Sequence, residues 1–301
     1  MFETFIVQPI FNLLALIYAV IPGHDFGLSV IAFTIVIRIL LWPLLRKQLH
    51  QTRVMRELQP EIKKIRTRTK GDKPREAQLL MELYKERGVS PFGSIGVLFV
   101  QIPILLGLFQ TLRRLAEDPQ GTLGLVYGWV GNIGWMKQVQ ADISNLDESL
   151  LGVVDLTRSG FGEPGTYWPV IVLAALAGLL QYFQSRQLMP KQKDARSLRQ
   201  ILRSETQGQK ADQAEINAAV GRGARFMFPA LTFIFAASVP GALALYWASG
   251  SAVGLIQQQS VLKGDVEEME ARADKSAKPS ATQPAKTSAK PNRHRPKKRK
   301  K

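Results

Sequence analysis

LSVIAFTIVIRILLWPLL, residues 28–45, decides the fold class of this chain. Its one ionisable residue is Arg38. A bilayer core of roughly 30 Å takes about 20 apolar residues to cross as a helix, so the run predicts a membrane span. The pattern recurs further along. Residues 91–112 read as a second span, holding Gln101, Pro103 and Gln110. Residues 167–188 read as a third, with Tyr167 and Trp168 as interfacial anchors. The apolar run from Phe226 to Leu262 is too long for one helix, and Pro240-Gly241 divides it into spans at 226–239 and 241–262. Charged residues gather between these blocks, so a chain that is 46% hydrophobic also carries a net charge of +16. The predicted fold class is an all-α integral membrane protein with a five-transmembrane-helix core.

The remaining segments take their places around that core. Residues 2–21 are apolar, with Thr4, Gln8 and Asn12 drawing one polar stripe at helical spacing. The stripe predicts an amphipathic helix lying in the membrane interface, with a further span as the alternative. A basic n-region and a small-residue cleavage site are both missing there, so the segment is expected to stay uncleaved. In the polar section 46–90, Met55, Leu58, Ile62 and Ile65 mark one apolar stripe and Ala77, Leu80 and Tyr84 another. Gly71 and Pro74 stand between them, which predicts a helical hairpin. Residues 116–166, rich in glycine and acidic groups, read as an irregular solvent-facing outer loop with a short element near 150–156. Residues 189–224 read as a polar, mostly basic loop. Residues 263–301 are rich in Ala, Lys, Pro and Ser, end in RPKKRKK, and are expected to be disordered. The domains are thus a membrane core, 1–262, and a basic tail, 263–301.

Charge asymmetry orients the chain. Section 46–90 carries 13 Lys and Arg against 6 Asp and Glu. Loop 116–166 has only Lys137 and Arg158 against Glu117, Asp118, Asp142, Asp147, Glu148, Asp155 and Glu163. Basic flanks stay on the cytoplasmic side. That places the hairpin, loop 189–224 and tail in the cytoplasm and the N-terminus outside a bacterial-type cytoplasmic membrane.

Several chemistries are excluded. The chain has no cysteine, hence no disulfide, zinc–thiolate site or thiol nucleophile. His24, His50 and His294 lie outside the spans, and no Asp or Glu sits well inside one. Proton relays and intramembrane protease centres need such groups. No P-loop is present. An enzyme is not expected, nor a cofactor or metal. Arg38 remains to be explained, since a buried guanidinium costs at least ~2.5 kcal/mol. It faces water or a polar cavity, or it pairs within the bundle with carbonyls, Gln101, Gln181 or Gln184.

Beyond these separate features, whole stretches are familiar. FGLSVIAFTIVIRILLWPL, MRELQPEIKKIR, ELYKERGVSPFGS, LFVQIPILLGLFQTL, FMFPALTFIF and PGALALYWASGSAVGLIQQQ occur in this order, followed by a basic tail. Together they make residues 2–262 resemble the YidC/Oxa/Alb family of membrane protein insertases. The resemblance implies five core helices around a hydrophilic groove, open to cytoplasm and lipid and closed toward the outside. It implies a cytoplasmic hairpin after the first core span and an interfacial helix before it. Arg38 matches the family's groove arginine, and Gln184, with Gln181 as its alternate, and Trp247 match other groove positions. Thr34 and Gln101 complete the candidate groove. Ser251 stands where many relatives carry Asn, and neither a lipoprotein-type leader nor a large outer domain is expected.

The expected function is insertion and chaperoning of nascent membrane proteins without nucleotide hydrolysis. An anion or small-solute channel or transporter is the rival, disfavoured by the lack of an acidic relay and of a basic ring. The hairpin would capture clients and contact the Sec translocon, or serve only to enforce topology. Lys297, Lys298, Arg299, Lys300 and Lys301 would bind ribosomal RNA, bind anionic membrane lipids, or simply hold the tail inside.

Overall fold

A computed structural model describes residues 1–69, 72–90, 96–162, 165–188 and 213–277. It divides the chain into two units, residues 1–261 and 262–301. In the first unit, a π-helical turn, Glu3–Val7, leads into α1, Gln8–Val20. Helix α2, Phe26–Leu40, begins where the Asp25 carboxylate accepts a hydrogen bond from the Leu28 amide at 2.6 Å, a side-chain cap for an otherwise unpaired donor.

Helix α2 stops at Leu40, and the chain resumes as α3, Trp42–Glu57, after a 65° bend. The apolar run 28–45, read as one span, is thus bent at Leu41. Pro43 has no N–H to offer the Ile39 carbonyl, and its ring disfavours helical backbone at Trp42. Helices α4, Gln59–Thr69, and α5, Lys73–Glu86, pack together through Leu58, Ile62 and Leu83. Ion pairs Arg66–Glu76 at 3.3 Å and Arg87–Glu61 at 2.8 Å join the same two segments. Helix α6, Gly96–Glu117, carries Pro103 within it.

The outer loop is more ordered than its composition predicts. It folds into α7, Pro119–Leu123, α8, Gly128–Gly131, α9, Gly134–Ala141, and an antiparallel pair, β1, Ser149–Leu150, with β2, Val154–Asp155. Leu123, Val130, Met136, Val139 and Leu156 are buried in one core with Phe11, Leu14 and Tyr18 of α1 and Phe26 of α2. These apolar residues are spread singly among glycines and acids, so no helix or strand period announces them. The polar stripe of α1 also points inward. Asn12 is buried, donates from Nδ2 to the Leu125 carbonyl at 2.9 Å and accepts from the Tyr127 amide at 2.6 Å, while Gln8 donates to Leu125 at 3.1 Å. The stripe ties α1 to the loop and thus has an explanation that needs no lipid headgroups.

Helices α10, Trp168–Leu188, and α11, Gln213–Ser238, approach closely. A Cβ on Gly178 would lie 3.1 Å from the Pro229 carbonyl oxygen. Small residues at such a crossing let two backbones meet. Helix α12, Gly241–Ala277, starts after the Pro240 break. Backbone from the outer loop crosses that break. Phe161 donates to Ala237 at 3.0 Å, Gly241 to Arg158 at 2.8 Å, and Ala242 to Leu156 at 3.0 Å.

Among the described residues, Glu3–Val20 and Trp168–Gln187 are long and apolar enough to cross a bilayer; the bent pair α2–α3 makes a third if it is one span. The shorter segment Arg225–Ser238 is also apolar. Ile35, Val36, Ile39 and Leu40 of α2, Val172 and Leu179 of α10, and Leu231 and Ile234 of α11 are exposed, an exterior suited to lipid rather than water.

In the second unit the chain is helical to Ala277, which corrects the expectation of disorder from residue 263. Residues 262–277 are rich in Ala and Glu, and the first proline of the tail is Pro279. Helix propensity therefore holds until then. The basic end, Lys297–Lys301, and most of loop 189–224 lie outside the described residues.

Candidate functional site

Because α2 ends early, Arg38 stands in its last turn. A cation there is favoured by the helix dipole, typically by about 0.3–1 kcal/mol. The break also strands carbonyls at the helix end. From α12, Gln257 reaches over and donates its side-chain amide to the Arg38 carbonyl at 3.1 Å.

The guanidinium lies against two glycines of α12. Gly250 and Gly254 are four residues apart there. A Cβ on Gly250 would sit 3.5 Å from Arg38 Nη2 and 3.6 Å from Thr34 Cγ2; one on Gly254 would sit 3.0 Å from Arg38 Nη1. Gln184 of α10 arrives at the same glycine and donates to the Ser251 carbonyl at 2.6 Å. Gln181, one turn earlier, places Oε1 3.5 Å from the Ser251 hydroxyl. Thr34 is buried and donates to the Val30 carbonyl at 2.7 Å, with the Ser249 hydroxyl 3.3 Å from its own. Gln258, also buried, donates to the Gln184 carbonyl at 3.4 Å.

Arg38, Thr34, Gln181 and Gln184 are thus brought together against residues 249–258. Gln101 of α6 joins them indirectly, donating to the Tyr246 hydroxyl at 2.5 Å; that phenol lies within electrostatic reach of Arg38. Trp247 engages α11 instead, packing edge-on against Phe235 with ring centroids 5.4 Å apart. Among the described residues no carboxylate pairs with Arg38; the ion pairs lie in the α3–α5 segment and at the C-terminal end of α6. Nor do three or more His, Cys, Asp or Glu gather there. The site offers a permanent positive charge and a set of amides and hydroxyls, arranged to attract and hydrogen-bond an anion or a polar backbone.

Ser249, Gly250, Gly254, Gln257 and Tyr246 escape the sequence analysis. GSAVG, residues 250–254, does carry a usable signal: two small residues four apart in an apolar segment mark a close helix contact. Here the contact is with an arginine rather than a second backbone.

A family model described as the 60Kd inner membrane protein matches residues 16–268. A membrane protein insertase YidC of Streptomyces avermitilis is 27% identical over 244 residues, which covers 81% of this chain and 52% of that protein. One from Clostridium tetani is 28% identical over 236 residues, 78% of this chain and 81% of that protein. The chloroplastic inner membrane protein ALBINO3 of Arabidopsis thaliana is 28% identical over 246 residues, 80% of this chain and 47% of that protein. The chain therefore spans about half the length of the Streptomyces and Arabidopsis relatives and most of the Clostridium one.

Proposed function

The chain belongs to the 60Kd inner membrane protein family, and from that premise we propose that it is a membrane protein insertase and chaperone whose working part is the Arg38 site. The observation that carries this is a guanidinium with no carboxylate partner among the described residues, set among amides on helices whose outer faces are apolar. Such a charge is expensive in a membrane unless something polar visits it.

A client span partitions into lipid readily, but its polar flank does not, since each unsatisfied polar group in hydrocarbon costs several kcal/mol. Arg38, Thr34, Gln101, Gln181 and Gln184 form a hydrophilic groove that lowers that cost part-way across, with Trp247 on its α11 side. Attraction is strongest for acidic tails. The client's hydrophobic helix supplies the driving force, without nucleotide hydrolysis. The core has five spans with the N-terminus outside and the C-terminus in the cytoplasm of the bacterial inner membrane. The α4–α5 hairpin receives clients and contacts the Sec translocon, and the tail's Lys297–Lys301 contact ribosomal RNA.

The test is reconstitution of the full chain in liposomes with a single-span client bearing a short acidic N-terminal tail. Protease protection of the tail above that in empty liposomes supports the function. Anion leakage without protection would replace it with the channel.

A further inference from the structure

Gly254 differs from Gly250 in what an added methyl would meet. At Gly250 the nearest atoms are 3.5 and 3.6 Å away, ordinary contact distances. At Gly254 the methyl would collide with the Gln184 amide nitrogen and stand 3.0 Å from Arg38 Nη1. For Gln184 to step aside, its amide would have to give up or lengthen its 2.6 Å bond to the Ser251 carbonyl. The backbone of Arg38 is fastened too, through Gln257. The methyl therefore presses on two flexible side-chain ends at once, the Gln184 amide and the guanidinium lying beside it.

We propose that Gly254 is a positioning residue for Arg38: its missing Cβ is what lets the guanidinium lie against α12 beside Gln184, and this placement sets the preference for clients with acidic tails. The inference rests on the insertase reading above. Helix propensity cannot produce the effect, since alanine is a better helix former than glycine at both positions. Lysine carries a compact ammonium on a flexible stem and needs no flat seat, so it supplies an internal control.

The experiment uses the full chain in liposomes with two clients, identical except for an acidic or an uncharged tail. The variants are Gly250→Ala, Gly254→Ala, Arg38→Lys and Arg38→Lys with Gly254→Ala. Gly254→Ala is expected to lower insertion of the acidic client about fivefold and of the uncharged one less than about twofold, as misplacing one charge would do. Gly250→Ala, whose methyl meets Arg38 Nη2 only at contact distance, is expected to lower the acidic client less than Gly254→Ala does, and in the lysine background Gly254→Ala adds less than about twofold, a non-additive pair. A thermal melt of each preparation checks folding. If Gly254→Ala does not fold, Gln184→Ala with Gly254→Ala removes the amide that the methyl meets, and its acidic-to-uncharged ratio is compared with that of Gln184→Ala. Equal losses on both clients, equal effects of the two glycine substitutions, or additivity in the lysine background would each overturn the proposal. Failure of the unsubstituted protein on both clients would instead overturn the insertase reading.

Discussion

Replacing Arg38 with methionine should separate stability from function. The side chain keeps similar length and loses its charge. A carboxylate about 4 Å from a guanidinium at an effective dielectric near 20 gains about 4 kcal/mol. Desolvation of the two ions takes back part of this, leaving about 2 kcal/mol, or roughly 30-fold in insertion of an acidic-tailed client. An uncharged tail loses only a hydrogen bond, about 1 kcal/mol or roughly fivefold. Because no carboxylate among the described residues balances Arg38, removing the charge leaves no orphaned anion there. The melting temperature should therefore hold or rise while insertion falls. The assay is protease protection of both clients in liposomes beside a melt of the same preparation. Moderate salt should change the ratio little, as screening is weak for a partly buried charge. Loss of both clients by the same factor, or a lower melting temperature, would refute the electrostatic role.

Three further substitutions test the frame around the site. Asp25→Ala removes the cap of α2, worth about 1 kcal/mol, and leaves the Leu151 amide that also donates to Asp25 without a partner, about 1–3 kcal/mol more; faster proteolysis within residues 146–161 would register it. Glu148 is pushed above its ordinary value of 4.5 by burial first, then by Asp155 and Asp147. A carboxyl raised in this way binds more protons folded than unfolded, so stability falls as pH climbs from 4.5 through the raised value. Glu148→Gln should raise the melting temperature at neutral pH and lose that advantage below 4.5; an equal gain at all pH values would remove titration as the cause. Leu83→Ala opens the α4–α5 core at a buried position and should cost about 2–5 kcal/mol, seen as faster hydrogen exchange over residues 59–86.

Membrane character and the glutamines around Arg38 were legible in the sequence because block hydropathy and charge need no tertiary information. The bend at Leu41 was legible in principle, since Pro43 was in plain view. It was outweighed by the unbroken apolar run on both sides. The order in the outer loop was not legible: Met136 and Val139 are buried through contacts with residues more than a hundred positions away. The inward use of the α1 stripe was not legible, because Asn12 satisfies the backbone of residues 125–127, and nothing local distinguishes that from a wet helix face. Gly250 and Gly254 carry a spacing signal, but their importance depends on where the Arg38 side chain goes.

The two ends of the α2–α12 region treat polar groups oppositely. Near Pro240 the backbone of residues 156–161 crosses the helix break and pairs with residues 237–242, and Leu150 packs so closely on Gly27 that an added Cβ would lie 2.5 Å from its Cδ1. Polar groups there are occupied by the protein itself. Around Arg38 the amides satisfy backbone carbonyls, yet among the described residues no carboxylate balances the charge. If the Arg38 side faces the cytoplasm, as proposed, a polar tail entering from there meets attraction first and, near Pro240, backbone that is already paired. Arg38 then cannot complete the crossing alone; it lowers only the first part of the barrier. What remains would fall to the apolar segment Arg225–Ser238, at 1.5 Å per residue about 21 Å long against a core of roughly 30 Å, a mismatch of the kind that thins lipid locally, and to the client's own span partitioning into the bilayer.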